Sequence, residues 1–384
     1  MTNRRVTIYD LAKELGVSPS YVSKALNNHP SVSETVKTRV AKTAAALNYR
    51  HNSHAANLRQ GSTKTIGVIV PHINQSFFSE AIAGMEEACF QNKHSLIICQ
   101  SHESFRQECS MIDTLIHQNV DCIIISVSAE TKSPAHLQMI KRNNIALIQF
   151  DRYIEEVDSY KVLNDNEETS YQVVKQLVKE GYRKIAFLGG PAHLTTFATR
   201  REGYIRAIRE EKLVIPFNFI VDDVLGSVKP VETIKELLTL PDPPDAFLTV
   251  SDHQSLAIMK VAKSLKISVP GQLGIFGFAN EAFTELMEPA LSSVDQKSKE
   301  LGRHAADLYF KSISNKISSS VLSVLMLLAK ASNCSAKLSG LPSQALMLLL
   351  SSLKALKPTS NLSMPSLSLK SCFIFSATNH LARH

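Results

Sequence analysis

The stretch Thr7-Ile8-Tyr9-Asp10-Leu11-Ala12-Lys13-Glu14-Leu15-Gly16-Val17-Ser18-Pro19-Ser20-Tyr21-Val22-Ser23-Lys24-Ala25-Leu26-Asn27 reads as a helix, a tight turn and a second short helix. Thr7 stands at an N-cap with Asp10 three residues on, the spacing of a capping box. Ile8, Leu11, Ala12 and Leu15 form one apolar stripe. Gly16 permits the left-handed residue that ends a helix. Ser18 caps the next one, and Pro19 occupies its first turn, where a missing N–H costs nothing. Val22, Ala25 and Leu26 face inward, leaving Pro19, Ser20, Tyr21 and Lys24 outside. Two helices this short bury little, so a third is required. Ser33 to Asn48 supplies it, with Val36, Val40, Ala44 and Leu47 on one face. The product is a helix-turn-helix headpiece, which lays a small polar helix in a DNA major groove.

Charge distribution agrees. The 384-residue chain has a net charge of +7 and is 44% hydrophobic, the composition of a globular protein of two or three domains. Residues 1–60 hold nine Lys and Arg against three acids, whereas residues 61–316 hold 27 against 32. A basic headpiece suits phosphates; the acidic middle has no general affinity for polyanions. The six cysteines form no C-x-x-C pair and no zinc set, and read as reduced core thiols. The N-terminal residues lack the apolar core of a signal peptide, and no apolar run reaches the ~18 residues of a membrane span. The expected location is cytoplasmic.

From Thr65 the pattern changes. Apolar, β-branched runs at 66–70, 95–99, 122–126 and 146–150 alternate with helical segments at 77–91, 106–118 and 135–143. A second series follows, with strands at 161–163, 185–188, 246–250 and 274–278 and helices at 168–180, 199–211, 231–239 and 254–265. Continuous apolar strands alternating with helices mean parallel sheets covered on both faces. The expected fold is an all-α headpiece followed by an α/β domain of two similar lobes, with a cleft between the carboxyl ends of their strands.

From residue 6 to about residue 316 the chain resembles the LacI/GalR family of sugar-responsive transcriptional regulators. The headpiece carries Val6 to Ala12, Gly16-Val17-Ser18 and Val22 to Asn27; the effector domain carries Ile66 to Pro71, Phe77-Phe78, Phe150-Asp151-Arg152, Gly181 to Ala186, Arg201 to Tyr204 and Ser292 to Gln296. The resemblance implies a periplasmic-binding-protein-like effector domain and a homodimer on a near-palindromic double-stranded DNA operator. It also implies a small-molecule effector, a sugar or sugar derivative, and no cofactor, metal, membrane or catalysis. It divides the chain into a headpiece at 1–50, a hinge at 51–63, an effector-binding and dimerisation domain at 64–316, and an atypical tail at 317–384. Pro19, Ser20 and Lys24 would read bases, with Thr7, Tyr21, Ser23 and Asn27 at the backbone and Leu58 wedged into the minor groove. Phe77, Asp151, Arg200, Asp252 and Asn280 would bind the effector, since an Arg fork and carboxylates suit paired hydroxyls.

Plainer readings stand beside these. Lys24 serves equally as a phosphate contact, Asp151 as a turn cap, one of Arg200 and Arg201 as a solvated helix residue, and at least one of Phe77 and Phe78 as core. The pairs His51/His54 and His380/His384 lack further ligands nearby and read as solvated. Family positions commonly polar are Ser251 and Ala279 here, and His72 replaces a common Asp. The tail holds 16 Ser and 16 Leu in 68 positions with no acid, Asp307 being the last. It reads as out-of-frame translation that would leave a sheet edge bare and make the chain an inactive remnant, or else as a genuine extension. A sugar-binding receptor without a transcriptional role is the third reading.

Overall fold

The structure, a computed structural model, describes residues 6–49, 62–222, 229–314, 368–369 and 375–376. The hinge leucine Leu58, His51, His54 and most of the tail lie outside them. The chain divides into a small unit, 1–63, and a large one, 64–384.

The small unit is three helices, α1 (Ile8–Leu15), α2 (Pro19–Leu26) and α3 (Glu34–Ala46). Asp10 Oδ2 accepts both the Thr7 N–H at 2.8 Å and the Thr7 hydroxyl at 2.7 Å. Gly16 ends α1 at φ +66°, and Ser18 Oγ accepts the Tyr21 N–H. Leu11, Ala12, Val22, Ala25, Val32, Val40 and Ala44 close a common core. The third helix stops two residues before the expected Asn48, which takes a left-handed φ of +50°.

The large unit begins with β1 (Thr65–Val70), α4 (Ser76–Gln91), β2 (Ser95–Gln100), α5 (Phe105–His117), β3 (Cys122–Ile125), α6 (Ala135–Arg142), β4 (Ala146–Phe150) and β5 (Tyr160–Asn164). It continues with α7 (Asn166–Lys179), β6 (Ile185–Leu188), α8 (Thr195–Glu210), β7 (Ile220–Val221), α9 (Lys229–Leu238), β8 (Ala246–Thr249), α10 (Asp252–Ser264), β9 (Gly274–Phe278), α11 (Phe283–Leu286), β10 (Ser292–Val294) and α12 (Ser298–Ser314). Strands β1 to β5 pair in parallel in the order 2-1-3-4-5, and β6 to β10 repeat it as 7-6-8-9-10. Two-residue strands β11 (Ser368–Leu369) and β12 (Phe375–Ser376) extend the sheets beside β5 and β10. The edges expected to be bare are therefore partly covered.

The lobes are connected twice among the described residues, between β5 and α7 and between β10 and α12. Helix α12 returns to the first lobe, where Leu301, Ala305, Ala306, Leu308, Tyr309 and Phe310 share a core with Ile66, Val68, Phe78 and Met85. In each lobe a glycine brings two helices into backbone contact. A β-carbon on Gly84 would overlap the Lys299 carbonyl, one on Gly302 the Ala81 carbonyl, and one on Gly203 the Glu167 carbonyl. Helix propensity favours alanine over glycine by about 1 kcal/mol; overpacking a dense contact costs about 1–3 kcal/mol or more. Gly302→Ala and Gly203→Ala are expected to lose net stability, read as a lower urea midpoint. An unchanged or raised midpoint would show that the helices separate freely.

Candidate effector cleft and DNA-reading helix

In each sheet the order reverses beside the first strand, and in open parallel sheets ligands bind outside the carboxyl ends at that reversal. The residues that follow those ends converge here. Asp151 follows β4, Arg200 lies on α8 after β6, Asp252 opens α10 after β8, and Asn280 follows β9. His102, Glu103, Asp151, Ala279 and Asn280 all carry positive φ, with Ala279 at +119°. Non-glycine residues in this region are strained and concentrate at functional sites.

Arg200 is 3% exposed. Its Nε donates to Asn166 Oδ1 at 2.8 Å and its Nη1 to the Val250 carbonyl at 2.9 Å, while its guanidinium lies 4.1 Å from the Phe278 ring centroid. Desolvation lowers its pKa to about 10, opposed by Asp151. Asp151 is also buried, and desolvation raises its carboxyl above the ordinary range against the pull of Arg152 and Arg200. Arg152 Nη1 donates to both oxygens of Glu103 at 2.8 Å, and its guanidinium sits between the rings of Phe78 and Phe197 at 5.9 and 5.3 Å. The inner cleft thus alternates charge with aromatic faces, an environment suited to a polar ligand with apolar ring faces.

Among the described residues, hydrogen bonds cross between the lobes at several points. Thr196 Oγ1 donates to the Asp151 carbonyl at 2.6 Å, His193 Nε2 lies 2.7 Å from the Ala129 carbonyl, and Ser76 bonds Glu281.

The remaining expected residues hold different positions. Phe77 packs in the first-lobe core, edge-on to Phe78 at 5.1 Å, so both phenylalanines are core and it is Phe78 that meets Arg152. Asp252 is wholly enclosed: Oδ1 accepts the Ser293 hydroxyl at 2.6 Å and Oδ2 the Glu281 N–H at 2.9 Å. The Asn280 N–H donates to Ser293 Oγ. Arg201, the neighbour of Arg200, is half-buried and pairs with Asp222 at 3.2 Å. Glu103, Arg152, Phe197, Phe278 and Glu281 escaped the sequence reading; only Arg152 had a signal, in the quoted Phe150-Asp151-Arg152 motif.

On the headpiece, Ser20, Lys24 and Asn27 are exposed on α2 and its end, with Pro19, Tyr21 and Ser23 half-buried. Asn27 Nδ2 donates to the Ser23 carbonyl, which fixes the end of the helix. Thr7 spends its hydroxyl on Asp10.

Burial pushes the Asp252 carboxyl up to about 7. The folded chain therefore holds this proton through a window in which the unfolded chain has released it. More protons on the folded side make stability fall as pH rises from about 4 to about 7. Across pH 5 to 8 the contribution is on the order of 2–4 kcal/mol. Urea titrations of wild type and Asp252→Asn across this range should show a steeper alkaline loss in wild type; parallel curves would exclude it.

The profile of "Bacterial regulatory proteins, lacI family" matches residues 7–52, and that of a "Periplasmic binding protein-like domain" matches residues 174–332, running past Lys316 where the sequence resemblance was expected to stop. Catabolite control protein A of Priestia megaterium is 29% identical over 308 residues, spanning 80% of this chain and 92% of that protein. The ribose operon repressor of Haemophilus influenzae is 28% identical over 309 residues, spanning 80% and 92%. Among solved structures, the lac repressor dimer bound to operator and the anti-inducer ONPF superposes with a TM-score of 0.70 at 20% identity, covering 81% of this chain and 93% of that one. The transcriptional regulator CelR–cellobiose complex superposes at 0.61 and 23% identity, covering 82% and 95%. These superpositions establish the two-lobed fold.

Proposed function

We propose that this chain, which belongs to the lacI family of bacterial regulatory proteins, is a ligand-responsive, sequence-specific DNA-binding regulator, acting as a repressor of carbohydrate-metabolism genes. The observation that carries the reading is the joining, in one chain, of a basic three-helix headpiece with an exposed polar α2 to a two-lobed domain with a buried, charged cleft. Neither part alone requires regulation; together they supply an input and an output. The same combination disfavours a transport receptor, which has no use for the headpiece. No catalytic step is assigned to the chain. The location proposed is the cytoplasm, where DNA is reached; no described helix is long and apolar enough to cross a membrane.

In this reading two copies grip one operator. Ser20 and Lys24 reach base edges from α2, and Tyr21, Ser23 and Asn27 hold its position against the backbone. Single headpieces bind weakly, and joining two on one site supplies the affinity. The effector enters between Asp151, Arg200 and the flanking phenylalanines, with Asn280 at the far wall and Asp252 bracing that wall from behind. It shifts the lobes only by its difference in affinity for their arrangements, a coupling of about 1–3 kcal/mol. A sugar or sugar derivative fits, as in the CelR structure, which holds cellobiose.

The tail supports a second reading. A segment without acids, beginning after Asp307, is the composition expected of out-of-frame translation, and would make the chain an impaired remnant of such a regulator. Translating the gene in its other two frames decides this: absence of a strand-forming, charged ending in both frames removes the idea. Footprinting of the purified chain on adjacent promoters, with and without cellobiose and D-ribose, tests the main reading; protection nowhere, at any concentration, would defeat it.

Lys24→Ala should weaken cognate operator binding by about 1–3 kcal/mol and relax selectivity at one base pair. Equal losses on cognate and random DNA in a binding titration would reduce Lys24 to a phosphate contact. Arg200→Lys should abolish the footprint's response to sugar while leaving effector-free operator affinity close to wild type. Calorimetry showing unchanged sugar affinity in the folded variant would remove Arg200 from the effector site.

A further inference from the structure

Helix α4 lacks a cap of its own. Gln75 stands at its N-cap and its side chain makes no capping bond, so the first turn is left to outside partners. The partner comes from the other lobe. The Ser76 N–H donates to both carboxylate oxygens of Glu281 at 3.1 and 3.3 Å, and the Ser76 hydroxyl donates to Glu281 Oε2. Glu281 is 6% exposed, so this contact is shielded from water and salt.

Both ends of the contact are rigid. On the second lobe, the Glu281 N–H is held by Asp252 Oδ2 at 2.9 Å, and its carbonyl accepts the N–H and hydroxyl of Thr284 at 2.9 and 2.8 Å. On the first lobe, α4 is locked against α12 through Gly84 and Gly302. The Thr196 and His193 bonds across the cleft end on backbone carbonyls, at Asp151 and Ala129. The Glu281 bond adds a negative charge at the positive end of a sixteen-residue helix, where anions are favoured.

We propose that Glu281 is a built-in latch: its carboxylate caps α4 across the cleft and holds the lobes closed with no effector bound. Opening the cleft uncaps α4 and parts the carboxylate from the Ser76 N–H and hydroxyl, so any effector that requires a wider cleft must first break this contact. That regulatory consequence rests on the cleft reading above, whereas the latch itself concerns lobe closure and needs neither operator nor effector to be tested.

The test uses the full chain without ligand. Glu281→Ala is compared with wild type, with Ser76→Ala as the second variant, since it removes the hydroxyl partner from the opposite lobe without unburying a carboxylate. Glu285→Ala, an exposed acid on α11, is the control. Two readouts are taken: hydrogen exchange at the first-turn amides of α4, and the distance between spin labels on unnatural amino acids at Lys93 and Glu236, exposed positions of the two lobes. Losing a charge-assisted bond should speed exchange at Ser76 roughly ten- to hundred-fold in Glu281→Ala and less in Ser76→Ala. The label distances should spread to longer values in the same order, with Glu285→Ala like wild type. Faster exchange with unchanged distances would make Glu281 a helix cap alone and overturn the latch. Unchanged exchange would overturn it as well.

Discussion

A single guanidinium ties together the second lobe's face of the cleft. Arg200 is buried without a carboxylate in hydrogen-bond contact, which costs enough for desolvation to lower its pKa to about 10. The cost is tolerated because the fork is satisfied by three separate elements: Asn166 at the start of α7, Val250 after β8, and the Phe278 ring at the end of β9. Those elements are distant in sequence, and this one side chain bonds or stacks on all three. Removing it would leave a buried carbonyl and amide without their donor and unfasten three strand or helix ends together. Asp151, reaching in from the other lobe, is held in a left-handed turn whose carbonyl is itself bonded across the cleft by Thr196. The site's charge balance and its lobe geometry are thus the same problem.

The lobes were legible because their strands are continuous apolar runs, which only a doubly covered parallel sheet accommodates. Boundaries shifted by a residue or two where a cap decided them, as at α7, which begins at Asn166 under the Asp165 side chain. Helix α12 was not read as an element. Its stripe of Leu301, Ala305 and Leu308 is thin, and its Gly302 argues for a break until the facing backbone of α4 is known. Strand β7 is two residues long, beneath any pattern. At the site, Asp151 and Arg200 were reachable through resemblance, and the structure brings them into one electrostatic group. Glu103 and Glu281 were not. Their importance comes from which backbone amides they meet, and those amides lie 26 and 205 residues away. Asp252 and Phe77, reached through the same resemblance, pack against protein neighbours in this structure, Asp252 under Ser293 and Glu281 and Phe77 against Phe78.

The headpiece answers a different constraint. Seven buried side chains hold three helices together, so nearly every apolar residue is needed for the core. Local chemistry carries the rest: a serine cap on α2, Asp10 folded back on Thr7, and the Arg39 guanidinium donating to the Leu15 carbonyl at the end of α1. What remains on the outer side of α2 is short and polar, with Ser20 and Lys24 exposed.

The return of α12 to the first lobe also sets an order of assembly on the ribosome. The second lobe is encoded in one run, from α7 to β10, and all of its central strands exist once residue 294 has emerged. The first lobe is begun much earlier, yet Ile66, Val68, Phe78 and Met85 stay without their covering helix until residues 298–314 are made. Domains commonly mature from the N-terminus during synthesis; here the central strands of the later-encoded lobe are all made first, and the earlier one must keep an apolar face waiting for more than two hundred residues. The stretch most exposed to misassociation in the cell is therefore the α4 face, and protection of the nascent chain matters most there.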